Sequence, residues 1–180
     1  MSHYSYQEGL REIWTEAVAR YRSGQRGAED FFTPGETEFL RSIGATAQEV
    51  YDFAEDFVVA GEPDYDTFAA LADRRRSYFL QVQGGRTSER VVLSEDLPAK
   101  DAEVNGLAWL PRIVPKAKAK LRGEMNPDLM YGCGGDRRFL KQVDMHLAEF
   151  LALVERHLDD DQAVIDYVTA RAQTLAALSG

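Results

Sequence analysis

The sequence predicts a mainly α-helical protein built from two tandem four-helix repeats related by a pseudo-twofold, with a candidate β-hairpin in the linker between them. Three observations predict it. Apolar residues recur at the i, i+3, i+4, i+7 spacing that makes one face of a helix buried. A shift of 100 positions lays identical residues over one another without a gap: Ile13 on Ile113, Ala17 on Ala117, Arg22 on Arg122, Gly35 on Gly135, Phe39-Leu40 on Phe139-Leu140. The helix-start signals fall in the same register, as a tandem duplication would leave them.

Each element follows from local chemistry. The first helix of each half is carried by Leu10, Ile13, Trp14, Ala17, Val18 and Tyr21, and by Leu110, Ile113, Val114, Ala117 and Leu121. The short second helix opens at Thr33-Pro34-Gly35-Glu36, a capping box with proline in the first helical position, answered by Cys133-Gly134-Gly135-Asp136. The third begins at Thr46 with Glu49 three residues on, and its apolar face (Val50, Phe53, Ala54, Phe57) corresponds to Leu147, Phe150, Leu151 and Val154. The fourth starts after Pro63 in one half and after Asp160 in the other. Between them, Leu80-Gln81-Val82 and Val91-Val92-Leu93 flank Gly84-Gly85, a candidate hairpin. The organisation is a first repeat over 1–80 acting as scaffold, a linker over 81–103, and a second repeat over 104–180 carrying the candidate site.

Composition narrows the function classes. A chain of 180 residues, 44% hydrophobic, can bury a core. Its single cysteine, Cys133, excludes an internal disulfide. No apolar run approaches the roughly 20 residues a membrane-spanning helix needs, and charges at Glu8, Arg11 and Glu12 interrupt any secretory apolar region, so the expected location is cytoplasmic, with no membrane partner. This is an acidic protein, of formal net charge −9, which argues against a nucleic-acid partner. The charge is segregated, however: residues 111–142 hold eight basic against three acidic residues, a local net charge of +5.

The run Gly106-Leu107-Ala108-Trp109-Leu110-Pro111-Arg112, then Lys116-Ala117-Lys118, then Tyr131-Gly132-Cys133-Gly134-Gly135-Asp136-Arg137-Arg138-Phe139 resembles the bacterial family catalogued as domain of unknown function 5069. That family's pattern is Leu-Pro-Arg, then Lys-Ala-Arg, then Tyr-x-Cys-Pro-Leu-Asp-Arg-x-Phe. The likeness covers roughly Val104 to Val168 and departs from the pattern at Pro115, where aspartate is usual, and at Gly134-Gly135, where Pro-Leu is usual. It implies an all-helical cytoplasmic protein with no established activity, and singles out Arg112, Lys116, Tyr131, Cys133, Asp136 and Arg137.

Two chemistries compete for these residues. Arg112, Lys116 and Lys120 recur every four residues on one helix face, and Arg137 lies on the short helix that follows. Together with amides exposed at Gly134 and Gly135, they would suit a carboxylate or phosphate. Cys133 at a helix start is the one candidate nucleophile, with Tyr131 and Arg137 shaping the site, while the charge of Asp136 in the first turn competes for the same helix dipole. A thiol enzyme also needs a base, and neither His146 nor His157 lies in a known thiol-enzyme motif. The favoured expectation is therefore non-catalytic binding of a small anionic ligand or an acidic protein segment at this glycine-rich edge, with no metal and no cofactor. A thiol-dependent enzyme using Cys133, and a pure interaction or homodimerisation module, are the alternatives. The sign reversals Glu12 to Arg112 and Glu16 to Lys116 also permit electrostatic pairing between the halves.

Overall fold

The computed structural model describes residues 3–179. The chain divides into two compact units, Met1–Ser88 and Glu89–Gly180. The segment expected as a linker is thus shared, 81–88 lying in the first unit and 89–103 in the second.

In the first unit, α1 (Tyr6–Arg22) buries Leu10, Ile13, Trp14, Ala17, Val18 and Tyr21, the stripe that the spacing predicts. Helix α2 (Pro34–Ser42) opens on the expected capping box: Thr33 Oγ1 accepts from the Glu36 amide at 3.2 Å, and the Glu36 carboxylate accepts from the Thr33 amide at 2.6 Å. Arg20 clamps that carboxylate at 2.8 and 2.9 Å. Helix α3 (Ala47–Ala60) is capped by Thr46 and α4 (Tyr65–Gln81) by Asp64. Trp14 stacks on Phe68 with ring centroids 4.9 Å apart, which joins α1 to α4.

The second unit holds α5 (Leu110–Arg122), α6 (Gly134–Gln142), α7 (Leu147–Arg156) and α8 (Asp161–Ser179). Its core gathers Leu110, Ile113, Leu121, Leu140, Phe150 and Val164, all at most 1% exposed. Asp160 caps α8 by accepting from the Ala163 amide at 3.0 Å.

The hundred-residue register of the sequence recurs in helix boundaries: α2 and α6 coincide at both ends, and α3 and α7 begin at matching positions. The turn after each short helix is also built alike. Gly44 (φ 75°) and Asp144 (φ 48°) are both left-handed, and the amides of Ala45 and Met145 both reach back to the carbonyl of Leu40 or Leu140 at 2.9 Å.

The hairpin forms elsewhere than expected. Leu80 and Gln81 belong to the last turn of α4, and the Gly85 amide closes that end on Phe79 O at 2.8 Å. Val92 makes an isolated parallel bridge to Met125 and, with Leu97, packs on Ala119 of α5. The antiparallel pair is β1 (Glu103–Val104) with β2 (Leu107–Ala108). Asn105 and Gly106 between them take φ of 53° and 77°, the two left-handed residues of a type I′ turn, and Asn-Gly is the dipeptide that turn favours. No helix among the described residues is long and apolar enough to cross a membrane.

Candidate functional site

The cationic face of α5 is buried. Arg112, Lys116 and Lys120, spaced by four, are 6%, 4% and 5% exposed. Each meets a different environment, because one helix turn separates successive side chains.

Arg112 turns toward the segment that precedes the hairpin, donating to Pro98 O at 2.6 Å and to Ser94 Oγ at 2.9 Å. Lys116 turns toward the start of α6. Its Nζ lies 2.8 Å from Asp136 Oδ2 and 3.1 Å from Cys133 Sγ. Lys120 has its pKa pulled down to about 7 by burial, since charge is costly in a site without solvent.

Asp136 is the hub. It is 0% exposed and accepts from Trp109 Nε1 at 2.9 Å, from the Gly132 amide at 2.8 Å and from Lys116. Its counterpart Glu36 closes a capping box on the residue immediately before α2, whereas the shorter Asp136 takes the amide one residue further back. Cys133, the residue before α6, is half-buried and offers no side-chain hydrogen bond to the helix amides; its sulfur faces Lys116.

Trp109 is held for this purpose. It ends the hairpin, with its amide on Ala102 O at 3.1 Å, and sits at φ 76° as the cap residue of α5. A left-handed backbone is rare for a bulky aromatic and persists where surrounding contacts dictate it. Those contacts include the Asp136 hydrogen bond and the face of α6, where a Cβ on Gly135 would come within 2.3 Å of Trp109 Cζ2. Alanine normally favours a helix over glycine by up to about 1 kcal/mol. Gly135→Ala is expected to reverse that sign and destabilise by about 1–3 kcal/mol through overpacking, as thermal melts would show. Gly35→Ala, where nothing lies within 4 Å, is the control that should not lose stability.

The structure therefore brings together Lys116, Cys133 and Asp136, with Trp109, Gly132 and Gly135 as supports. It does not bring Arg112 or the Tyr131 hydroxyl to the sulfur. Tyr131 donates to Leu147 O at 2.8 Å inside the core, and burial, reinforced by the Asp136 charge, raises its phenol pKa well above normal. Arg137 donates to Gly132 O at 2.7 Å, bracing the turn before α6, and Gly134 is exposed. Neither histidine of the second unit is placed as a base in this cluster: His146 caps α7, with Nδ1 accepting from the Ala148 amide at 3.2 Å, and His157 ends that helix. The charge pairing open to Lys116 in the sequence is met within its own unit, by Asp136.

The residue pattern assigns no role to the Trp109 indole N–H, yet it anchors Asp136. The available signal was its place immediately after a Asn-Gly hairpin, 27 residues before a buried acid.

No curated protein and no solved structure matches the chain. The region expected at 104–168 is matched more widely, and all of the Lys116–Cys133–Asp136 cluster falls inside the match. Residues 95–177 match the family model described as domain of unknown function (DUF5069), and the cluster lies within that matched stretch.

Proposed function

We propose that the second unit works through Cys133 as a thiol site at the start of α6, taking a small electrophilic ligand on sulfur rather than running a complete acid–base reaction. The observation that carries this reading is the 3.1 Å approach of the buried Lys116 ammonium to the Sγ of half-buried Cys133. Negative charge on that sulfur is stabilised by an ammonium hydrogen and by the positive end of α6. Asp136 takes another of the three ammonium hydrogens and fixes the nitrogen in place. The three family-like positions that meet here are Lys116, Cys133 and Asp136. A free thiol persists in a reducing compartment, so the reading places the chain in the cytoplasm.

A small non-covalent anion is the second reading. It is favoured by the start of α6, where Cys133 supplies no side-chain acceptor to the first amides and Gly134 is exposed. Against it stand the internal commitments of the cations: Arg112 and Arg137 donate to backbone oxygens and Lys116 to Asp136.

We read the two units as copies of one ancestral four-helix segment, supported by the shared register of α2 with α6 and by the matching turns that follow them. The thiol site belongs to the second copy alone, since Glu16, Thr33 and Glu36 stand where it has Lys116, Cys133 and Asp136.

Alkylation by iodoacetamide at neutral pH, followed by intact mass, tests the thiol reading. Cys133 should react on the order of tenfold faster in the native protein than in a Lys116→Met, Asp136→Asn variant, the worth of one hydrogen bond to a charged group. That variant removes both charges together and leaves an amide oxygen for Trp109 and Gly132. Equal rates would reject the reading.

A further inference from the structure

We propose that Lys116 and Cys133 form an oxidative cross-link, a direct sulfur–nitrogen bond made when peroxide oxidises the thiol. The inference rests on Cys133 being the reactive thiol described above. Its partner is already positioned: Lys116 Nζ lies 3.1 Å from Sγ, is 4% exposed, and is pinned by Asp136 at 2.8 Å. Reacting atoms held about 3–3.5 Å apart combine as if at very high local concentration. Cys133 is half-buried rather than sealed in the core, while Lys116 beside it is buried.

The chemistry closes in two steps. Hydrogen peroxide transfers one oxygen to the thiol, giving Cys133 sulfenic acid and water; sulfur is oxidised by two electrons and the peroxide is reduced. The Lys116 ammonium then passes one proton to Asp136, and the freed lone pair attacks sulfur. The S–N bond forms as the S–O bond breaks. The departing hydroxide recovers the proton from Asp136 and leaves as water, and the nitrogen releases a further proton to solvent. Overall, one ammonium, one thiol and one hydrogen peroxide give the cross-link, two waters and one proton.

The link has a structural consequence. It ties α5 covalently to the start of α6 and takes from the fully buried Asp136 its cationic partner, leaving that carboxylate only Trp109 Nε1 and the Gly132 amide. Oxidation thus converts an ion pair into a covalent tether, which a thiol reductant reopens by exchange at sulfur.

The test treats the full chain, natively folded, with hydrogen peroxide and maps the products by peptide mass spectrometry, with dimedone added in parallel to trap sulfenic acid. The expected result is a Lys116–Cys133 peptide pair two hydrogens lighter than its reduced parts, lost on adding dithiothreitol. It should also be absent from Lys116→Arg, which keeps a cation for Asp136 but presents no amine, and from the Lys116→Met, Asp136→Asn variant. Dimedone capture of Cys133 without any cross-link would overturn this inference and leave the thiol reading standing. Failure of Cys133 to oxidise at all would overturn both.

Discussion

Asp136→Ala is expected to cost the second unit about 3–5 kcal/mol, the loss typical when one member of a buried ion pair is removed. Three donors are stranded at once: the Lys116 ammonium, 4% exposed, the Trp109 indole N–H and the Gly132 amide. The ammonium dominates, because an unpaired buried charge costs far more than an unpaired amide. Urea denaturation of the full chain, followed by a probe in the second unit, gives the loss directly. Asp136→Asn should be milder in its effect on Trp109 and Gly132, since it keeps an oxygen for them, but should still strand the cation. Adding Lys116→Met to Asp136→Ala should recover part of the stability, because the stranded charge is then gone, and that recovery is the coupling a double-mutant cycle measures. A loss of about 1 kcal/mol or less, without recovery, would mean that the pair is hydrated and not the hub of the site.

The helices were legible because their signals are local. Thr33, Thr46, Asp64 and Asp160 each satisfy an orphan amide at a helix start, and such a residue needs no tertiary context to be read. The apolar stripe of α1 was equally plain, since every predicted residue from Leu10 to Tyr21 is buried. The hairpin was misplaced through turn chemistry. Gly84-Gly85 has the look of a turn between Leu80-Gln81-Val82 and Val91-Val92-Leu93, yet these glycines end α4, where left-handed residues are equally at home. Asn105-Gly106 was the better signal and lay beside strands only two residues long, too short for any period-2 pattern to mark.

The site was half legible for the opposite reason. Spacing placed Arg112, Lys116 and Lys120 on one face of α5 but could not say that this face is covered. What covers it is tertiary: Val92 and Leu97 lie over Ala119, and Pro98 with Ser94 receives Arg112. A row of cations four apart usually lines the solvent side of a helix, and long basic side chains are rarely buried without a partner. Asp136 was legible as a cap-like acid in the first turn of α6. That its carboxylate would face inward to Trp109 and Lys116 depends on Gly135, whose missing Cβ lets the indole approach, and no periodicity encodes that contact.

Lys120 makes the stability of the second unit rise with pH. Burial lowers its pKa from 10.5 to about 7, so between those values the unfolded chain carries a proton that the folded chain has released. Where the unfolded state binds more protons, unfolding free energy increases with pH, by up to about 1.4 kcal/mol per pH unit for one group. Below pH 7 both states hold the proton and this contribution is flat. Between pH 7 and 9 Lys120 alone should add about 2 kcal/mol to stability. Staying below pH 9 keeps the tyrosine phenols protonated in both states, including Tyr131, whose ionisation burial pushes still higher. Lys120→Met, which keeps the length of the side chain and removes the charge, should be more stable than the natural chain at pH 7. The excess should shrink steadily toward pH 9. Urea midpoints of the two proteins across that range decide it: curves that converge with rising pH assign the slope to Lys120, and parallel curves would place its ammonium in contact with water.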